Sequence, residues 1–226
     1  MVFETGAPAA PFSVAGTGFL VRFRASLFVL TARHVVLDVP KERLAVIMSA
    51  SGERLSLRKR WDIHVDDVDA DADGCDLLIF SADVSGLSSK ARRSNFLLDL
   101  TSPDVANWFD DRDTATFFLF GYPKAVTGAD YERTQVDKNQ TLLHGTYIGP
   151  SVSDGCFELS VRNPLALRSF DGMSGSPVFS LSTTLWQSTQ PTFCGMALRG
   201  TPGSERLHFL GSETILTAVE AAHCAP

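Results

Sequence analysis

Three side chains in this sequence have the types that nucleophilic catalysis needs, and they occur in the chain order His34, Asp76, Ser174. Ser174 stands in Ser169-Phe170-Asp171-Gly172-Met173-Ser174-Gly175-Ser176-Pro177-Val178-Phe179. A serine between glycines, followed at once by a strand-forming run, can sit on a tight turn with its hydroxyl exposed. There the amides of Gly172 and Ser174 can converge on one point. Two fixed N–H donors of that kind would hold the negative oxygen of a tetrahedral intermediate, each worth on the order of 100- to 1000-fold in rate. Gly-Ser pairs are also ordinary loop material, so this segment alone admits both readings. His34 ends an apolar strand in Leu30-Thr31-Ala32-Arg33-His34-Val35-Val36. An imidazole there can be partly shielded yet reach a neighbouring lobe, and its titration near neutral pH suits it to take a proton from a hydroxyl. A lone histidine in that place can equally be structural. Asp76 opens the run Asp76-Leu77-Leu78-Ile79-Phe80. Burying its carboxylate costs stability unless it accepts strong hydrogen bonds, for which an imidazole N–H is a suitable donor. The plain alternative is an aspartate in a turn before a strand.

The elements that must position these groups are β-rich. The chain has 226 residues, 44% of them hydrophobic, with 16 phenylalanines, enough for one large domain or two small lobes and too apolar for a disordered or fibrous chain. Residues 17–34 hold two apolar runs around a short polar turn, which predicts a hairpin. Further runs at Ala45–Met48, Arg54–Leu57, Trp61–Val65 and Leu77–Phe80 are spaced too tightly for crossover helices. Residues 1–85 therefore read as an antiparallel β-barrel carrying His34 and Asp76. Residues 86–113 turn polar and read as a linker between lobes. Strand-like runs resume at Thr116–Phe120, Thr141–Ile148, Cys156–Val161, Pro177–Leu181, Thr192–Arg199 and Leu207–Leu210, so residues 114–226 predict a second barrel carrying Ser174. A terminal helix follows, with Ser212 as its N-cap and Ile215, Leu216, Val219 and Ala222 on one face.

In this order, Thr31-Ala32-Arg33-His34, Asp76-Leu77-Leu78 and Gly172-Met173-Ser174-Gly175-Ser176-Pro177 resemble the motifs of the trypsin/chymotrypsin-like serine peptidases, in their bacterial-type, intracellular branch. The likeness runs over nearly the whole chain, including Gly121-Tyr122-Pro123 and the terminal helix. It implies an all-β fold of two antiparallel six-stranded barrels with a C-terminal helix. It also implies Ser174 as nucleophile, His34 as general base and then acid, Asp76 orienting the imidazole, and the amides of Gly172 and Ser174 as the oxyanion hole. By the same resemblance Arg168 forms the floor of the substrate pocket, and Gly195–Gly200, with Ala197, Leu198 and Arg199, looks like its wall strand. A cation at that floor would repel Lys or Arg and could attract an acidic side chain. An α/β-hydrolase elbow competes for the serine, but Ser176 replaces its second glycine and its histidine comes last in the chain. Two departures matter. Val35 follows the histidine where trypsins carry a half-cystine, and Met173 stands where an aspartate would pair with a newly cut N-terminus, so that activation switch cannot operate.

The rest of the sequence excludes more than it adds. Twenty Lys and Arg against 26 Asp and Glu leave a net charge of −6 with no basic run, which excludes a nucleic-acid partner. Cys75, Cys156, Cys194 and Cys224 lack C-x-x-C spacing and read as small buried thiols. No cofactor or metal is expected: within the acidic run Asp66–Gly74, Asp69, Asp71, Asp73 and Gly74 open like a calcium loop, but the twelfth position counted from Asp69 falls on Phe80, and His64, His144, His208 and His223 form no ligand-spaced pair. Residues 1–16 lack a signal-peptide pattern and no run of ~18 apolar residues occurs, so a cytoplasmic protein without membrane contact is expected. The expected function is a serine endopeptidase acting through an acyl-enzyme on a protein or peptide, by limited proteolysis in stress or defence signalling. The alternative is a partner-activated or catalytically silent binding module of the same fold, with a regulatory protein as partner. A non-peptidase acyl hydrolase is a third possibility.

Overall fold

The computed structural model describes residues 1–225 apart from 38, 49–52, 63–75, 90–96, 103–104, 106, 131, 133–134, 138, 163–166, 168 and 183–190. Cys75, the acidic run 66–74, His64 and Arg168 lie outside the described residues. The N-terminal half contributes β1 (Val2–Ala7), β2 (Ala10–Val14), β3 (Phe19–Phe23), β4 (Ser26–Ala32), β5 (Leu44–Ile47), β6 (Arg54–Asp62), β7 (Leu77–Asp83) and β8 (Leu97–Asp99). The C-terminal half follows with β9 (Thr116–Gly121), a hairpin of β10 (Gly128–Asp130) and β11 (Gln135–Asp137), then β12 (Thr141–Pro150), β13 (Cys156–Arg162), β14 (Pro177–Leu181), β15 (Thr192–Thr201), β16 (Arg206–Gly211) and α1 (Ser212–Cys224).

The second half closes into a six-stranded antiparallel barrel in the order β12-β13-β16-β15-β14-β9. Strand alternation sorts its side chains between two cores. On β9, Phe117 and Leu119 point into the barrel core with Leu143, Leu159 and Phe209, while Phe118 and Phe120 pack outward against the core shared with the other half. The N-terminal half departs from the expected six-stranded barrel. It is an eight-stranded sheet, β2-β1-β5-β6-β7-β4-β3-β8, and no second closed barrel forms among the described residues. Its last pair, β3 with β8, is parallel. Apolar runs specify strands but not closure: a long connection after β7 lets Leu97–Asp99 enter along β3 in the parallel sense, and the β1–β2 hairpin extends the opposite edge. The two runs read at Arg54–Leu57 and Trp61–Val65 are one strand through Asp62, interrupted by a register shift between Leu57 and Arg60.

Leu27–Leu30 of β4 and Leu77–Phe80 of β7 are continuously apolar because both faces of the sheet are covered there. Val29, Leu78 and Phe80 enter the core of the N-terminal half with Leu44 and Leu55. Phe28, Leu30, Leu77 and Ile79 enter a shared core with Phe179, Phe193 and Leu198 of the barrel and with Ile215, Ala218, Val219 and Ala222 of α1. Ala218 thus joins the helix's buried face, and Leu216 is only partly buried.

Residues 86–113 hold β8 and a short 3₁₀ turn, Asn107–Phe109, whose Trp108 lies in the barrel core. Its indole meets Phe157, Phe209 and Phe117 edge-on at centroid distances of 5.1, 5.6 and 6.0 Å. The indole N–H donates to Ser212 Oγ at 3.1 Å, and that hydroxyl donates to the Val105 carbonyl at 3.0 Å. Ser212 is therefore no N-cap. Its hydroxyl is buried under Trp108, and Gly211 takes the cap position without a side-chain bond. Trp108→Ala should cost about 3–5 kcal/mol, since it empties a filled site and strips Ser212 of a donor. Urea unfolding measures this, and a loss under about 1 kcal/mol would mean the indole is not part of that core.

Cys156 and Cys194 are buried, as expected of both, and burial pushes the Cys194 thiol up to about 12. Cys224 departs from the expectation: at the end of α1 it is exposed.

Candidate active site

The end of β4 and the start of β7 lie side by side. Antiparallel pairing sets Thr31 opposite Leu78 and Ala32 opposite Leu77, and the Arg33 amide continues the ladder to the Asp76 carbonyl at 3.1 Å. A 3₁₀ turn, Arg33–Val35, then turns the chain back over Asp76. Both carboxylate oxygens are used: Oδ1 accepts the His34 backbone N–H at 2.8 Å, and Oδ2 meets His34 Nδ1 at 2.5 Å. The Asp76 side chain is 12% exposed and the imidazole 49% exposed. A shielded carboxylate behind a half-open ring has one consequence for the tautomer. An ionised carboxylate only accepts, so Nδ1 carries the proton and the Nε2 lone pair is left to take another.

Ser174 lies on the barrel half, in the turn between Phe170 and β14. Backbone conformation selects the glycines beside it: Gly172 has φ +90° and Gly175 φ +85°. A Cβ at Gly175 would stand 2.2 Å from the Thr17 carbonyl oxygen, and one at Gly172 would stand 2.4 Å from that of Tyr122. Neither position has room for a side chain.

Hydrogen bonds fix most of the peptide groups of this turn from Asp171 to Ser176. Lys124 N–H donates to the Asp171 carbonyl at 2.7 Å, Thr17 Oγ1 donates to the Gly172 carbonyl at 2.6 Å, and Ser176 N–H donates to the Met173 carbonyl at 3.0 Å. The Met173 amide donates to Phe170 O at 2.9 Å, and the Gly175 amide to Ala197 O at 2.8 Å. Among the described residues, the Gly172 and Ser174 amides have no acceptor. In a trans peptide the N–H points opposite its C=O, so fixing the carbonyls of Asp171 and Met173 also fixes where those two amides aim. The turn thus presents two unused donors, one of them on the serine itself. Met173, between them, is buried in the barrel core, where an apolar side chain belongs and a charge would not.

The loop is also tied to the histidine's half. Thr17 N–H donates to the Ser174 carbonyl at 3.2 Å, and Thr31 Oγ1, three residues before His34, donates to the Thr17 carbonyl at 2.7 Å. A Cβ at Gly16 would stand 2.8 Å from Val35 Cγ1 and 3.5 Å from the Ser174 carbonyl oxygen, so the two segments meet across one glycine. The structure therefore joins His34 and Asp76 directly and brings the Ser174 backbone against the segment next to His34. It makes no hydrogen bond between His34 and the Ser174 hydroxyl among the described residues.

Of the pocket residues expected on β15, Ala197 and Leu198 are buried and Arg199 is exposed. Ala197 uses both backbone groups on the serine turn: its carbonyl accepts from Gly175, and its amide donates to Ser176 O at 2.8 Å. Among the described residues no His, Cys, Asp and Glu side chains group as metal ligands would, and no helix is long and apolar enough to cross a membrane. Thr17 and Lys124, and the bond made by the Thr31 hydroxyl, escaped the sequence reading. Their signal was slight: a threonine between Gly16 and Gly18, and a hydroxyl in an otherwise apolar strand.

No protein-family model matches this chain, and no curated protein matches it.

Proposed function

We propose that this chain is a trypsin-like serine endopeptidase that cuts a protein substrate through an acyl-enzyme. The single observation that carries this reading is the pairing of an Asp76-oriented imidazole with a neighbouring turn whose only unused amides flank and include the serine. In the reaction, His34 Nε2 takes the hydroxyl proton as Ser174 Oγ bonds to the scissile carbonyl carbon, and the oxyanion receives the N–H groups of Gly172 and Ser174. Collapse breaks the C–N bond, and the imidazolium returns its proton to the leaving amine. Water then repeats the sequence and frees the acid. Asp76 stays ionised throughout and stabilises the imidazolium it faces.

A fluorophosphonate probe on the purified chain tests this directly. Stoichiometric labelling at Ser174, with cleavage of peptides in a denatured proteome digest, is the expected result. Labelling without peptide cleavage would point to an acyl hydrolase, and a folded chain left unlabelled would sink the reading. The second reading, a module silent until a partner binds, is favoured by the missing Ser174–His34 hydrogen bond. In free enzymes such bonds are often long and tighten only in complexes, so the first reading accommodates the same gap. Cytoplasmic limited proteolysis in stress or defence signalling, with a preference for acidic or small residues before the cut, is part of this proposal. The pocket preference draws on Arg168 and Arg199.

A further inference from the structure

We propose that Thr17 is a positioning residue that holds the oxyanion turn and the general base in one frame, a role that rests on the peptidase reading above. Thr17 is buried, and all its polar groups are committed. The hydroxyl donates to the Gly172 carbonyl at 2.6 Å and accepts the Tyr122 amide at 3.0 Å. Its amide reaches Ser174 O, and its carbonyl receives Thr31 Oγ1. One residue of the N-terminal half thus holds two carbonyls of the serine turn and takes a bond from the strand that leads to His34.

The geometry gives the hydroxyl a distinct task. The peptide between Gly172 and Met173 separates the two free amides, and its carbonyl is the one that Thr17 Oγ1 holds. If that peptide turns, the planes on either side turn with it, and the two N–H groups no longer aim at a common oxygen. Gly121 makes the arrangement possible: a Cβ there would stand 2.9 Å from Thr17 Oγ1 and 2.1 Å from Ser176 Oγ. The substitution that isolates the effect is Thr17→Val, which keeps shape and volume but removes the donor to Gly172 and the acceptor for Tyr122. Thr17→Ser keeps both functions.

Fluorophosphonate labelling provides the readout. Ser174 Oγ bonds to phosphorus as the P–F bond breaks, the hydroxyl proton passes to His34, fluoride leaves, and the phosphoryl oxygen carries the developing charge toward the two amides. Thr17→Val should label Ser174 to full stoichiometry at a maximal rate about 100-fold lower, as expected when reacting groups are misplaced by about 1 Å. The probe concentration at half-maximal rate and the pH midpoint of the rate should stay unchanged. Thr17→Ser should label within about threefold of the wild type. A merely structural role would give a different pattern, a reduced end point at the native rate from the folded fraction. That pattern overturns the proposal, as does a Thr17→Val rate within threefold of wild type, or a Thr17→Ser rate as slow as Thr17→Val. If the wild type itself is not labelled, the peptidase reading falls and takes this one with it. A failure of Thr17's role alone leaves the wild type labelled.

Discussion

Replacing Ser174 with alanine should lower peptide turnover by about four to six orders of magnitude while leaving the unfolding midpoint almost unchanged. The two halves of this expectation have separate causes. Ser174 Oγ is the only atom removed besides its proton, and among the described residues it makes no hydrogen bond, so the fold loses nothing that it used. The turn is held by backbone groups of Met173, Gly175 and Ser176 and by the Thr17 hydroxyl on the Gly172 carbonyl, all of which survive the exchange. For the reaction, a loss of that size corresponds to about 5.4–8.2 kcal/mol of transition-state stabilisation, the scale of a lost covalent route. What remains should be the rate that the two amides and substrate binding sustain with water as nucleophile. Steady-state cleavage of a fluorogenic peptide, beside a thermal melt, measures both halves. Activity within tenfold of wild type would remove Ser174 from the mechanism.

Asp76→Asn should cut the rate by about 10⁴ with the geometry kept nearly intact. The side-chain oxygen that replaces Oδ1 still accepts the His34 backbone N–H, so the 3₁₀ turn keeps its anchor. The amide NH₂ that replaces Oδ2 can only donate, and it faces His34 Nδ1 across a contact of 2.5 Å in the parent. Nδ1 must then become the acceptor, and the ring proton moves to Nε2. An imidazole in that tautomer offers Ser174 a donor where a base is needed. The measurement is kcat for the same peptide, with the imidazole tautomer read from ¹⁵N chemical shifts. Near-normal activity with the proton still on Nδ1 would clear Asp76 and direct suspicion to Asp73, which lies outside the described residues.

Much of the fold was legible because period-2 alternation and glycine-rich breaks survive in the local sequence. β14 matches its expected bounds residue for residue, and the hairpin of β3 and β4 stands where the apolar runs at Phe19 and Leu27 put it. The errors lie where distant partners decide. Ser212 looks like a cap because it precedes a helical run, yet its hydroxyl is taken by Trp108 and Val105, more than 100 residues away. Nothing within a few residues of Ser212 records that competition. The N-terminal sheet likewise stays open in its hydrogen bonding because β8 adds to β3 from a segment whose local composition reads as a linker.

By itself the sequence determined the types and order of the chemical groups and the β character of both halves, properties carried by single residues or near neighbours. Tertiary structure alone decided that Ala32 pairs with Leu77, which makes His34 and Asp76 neighbours across 42 residues. It alone decided that Thr17 closes on Gly172 across 155. A strand's apolar pattern is satisfied equally by any shift of two residues, and a threonine's hydroxyl by any nearby carbonyl. Only the packing of both halves on their shared core selects one register and one partner.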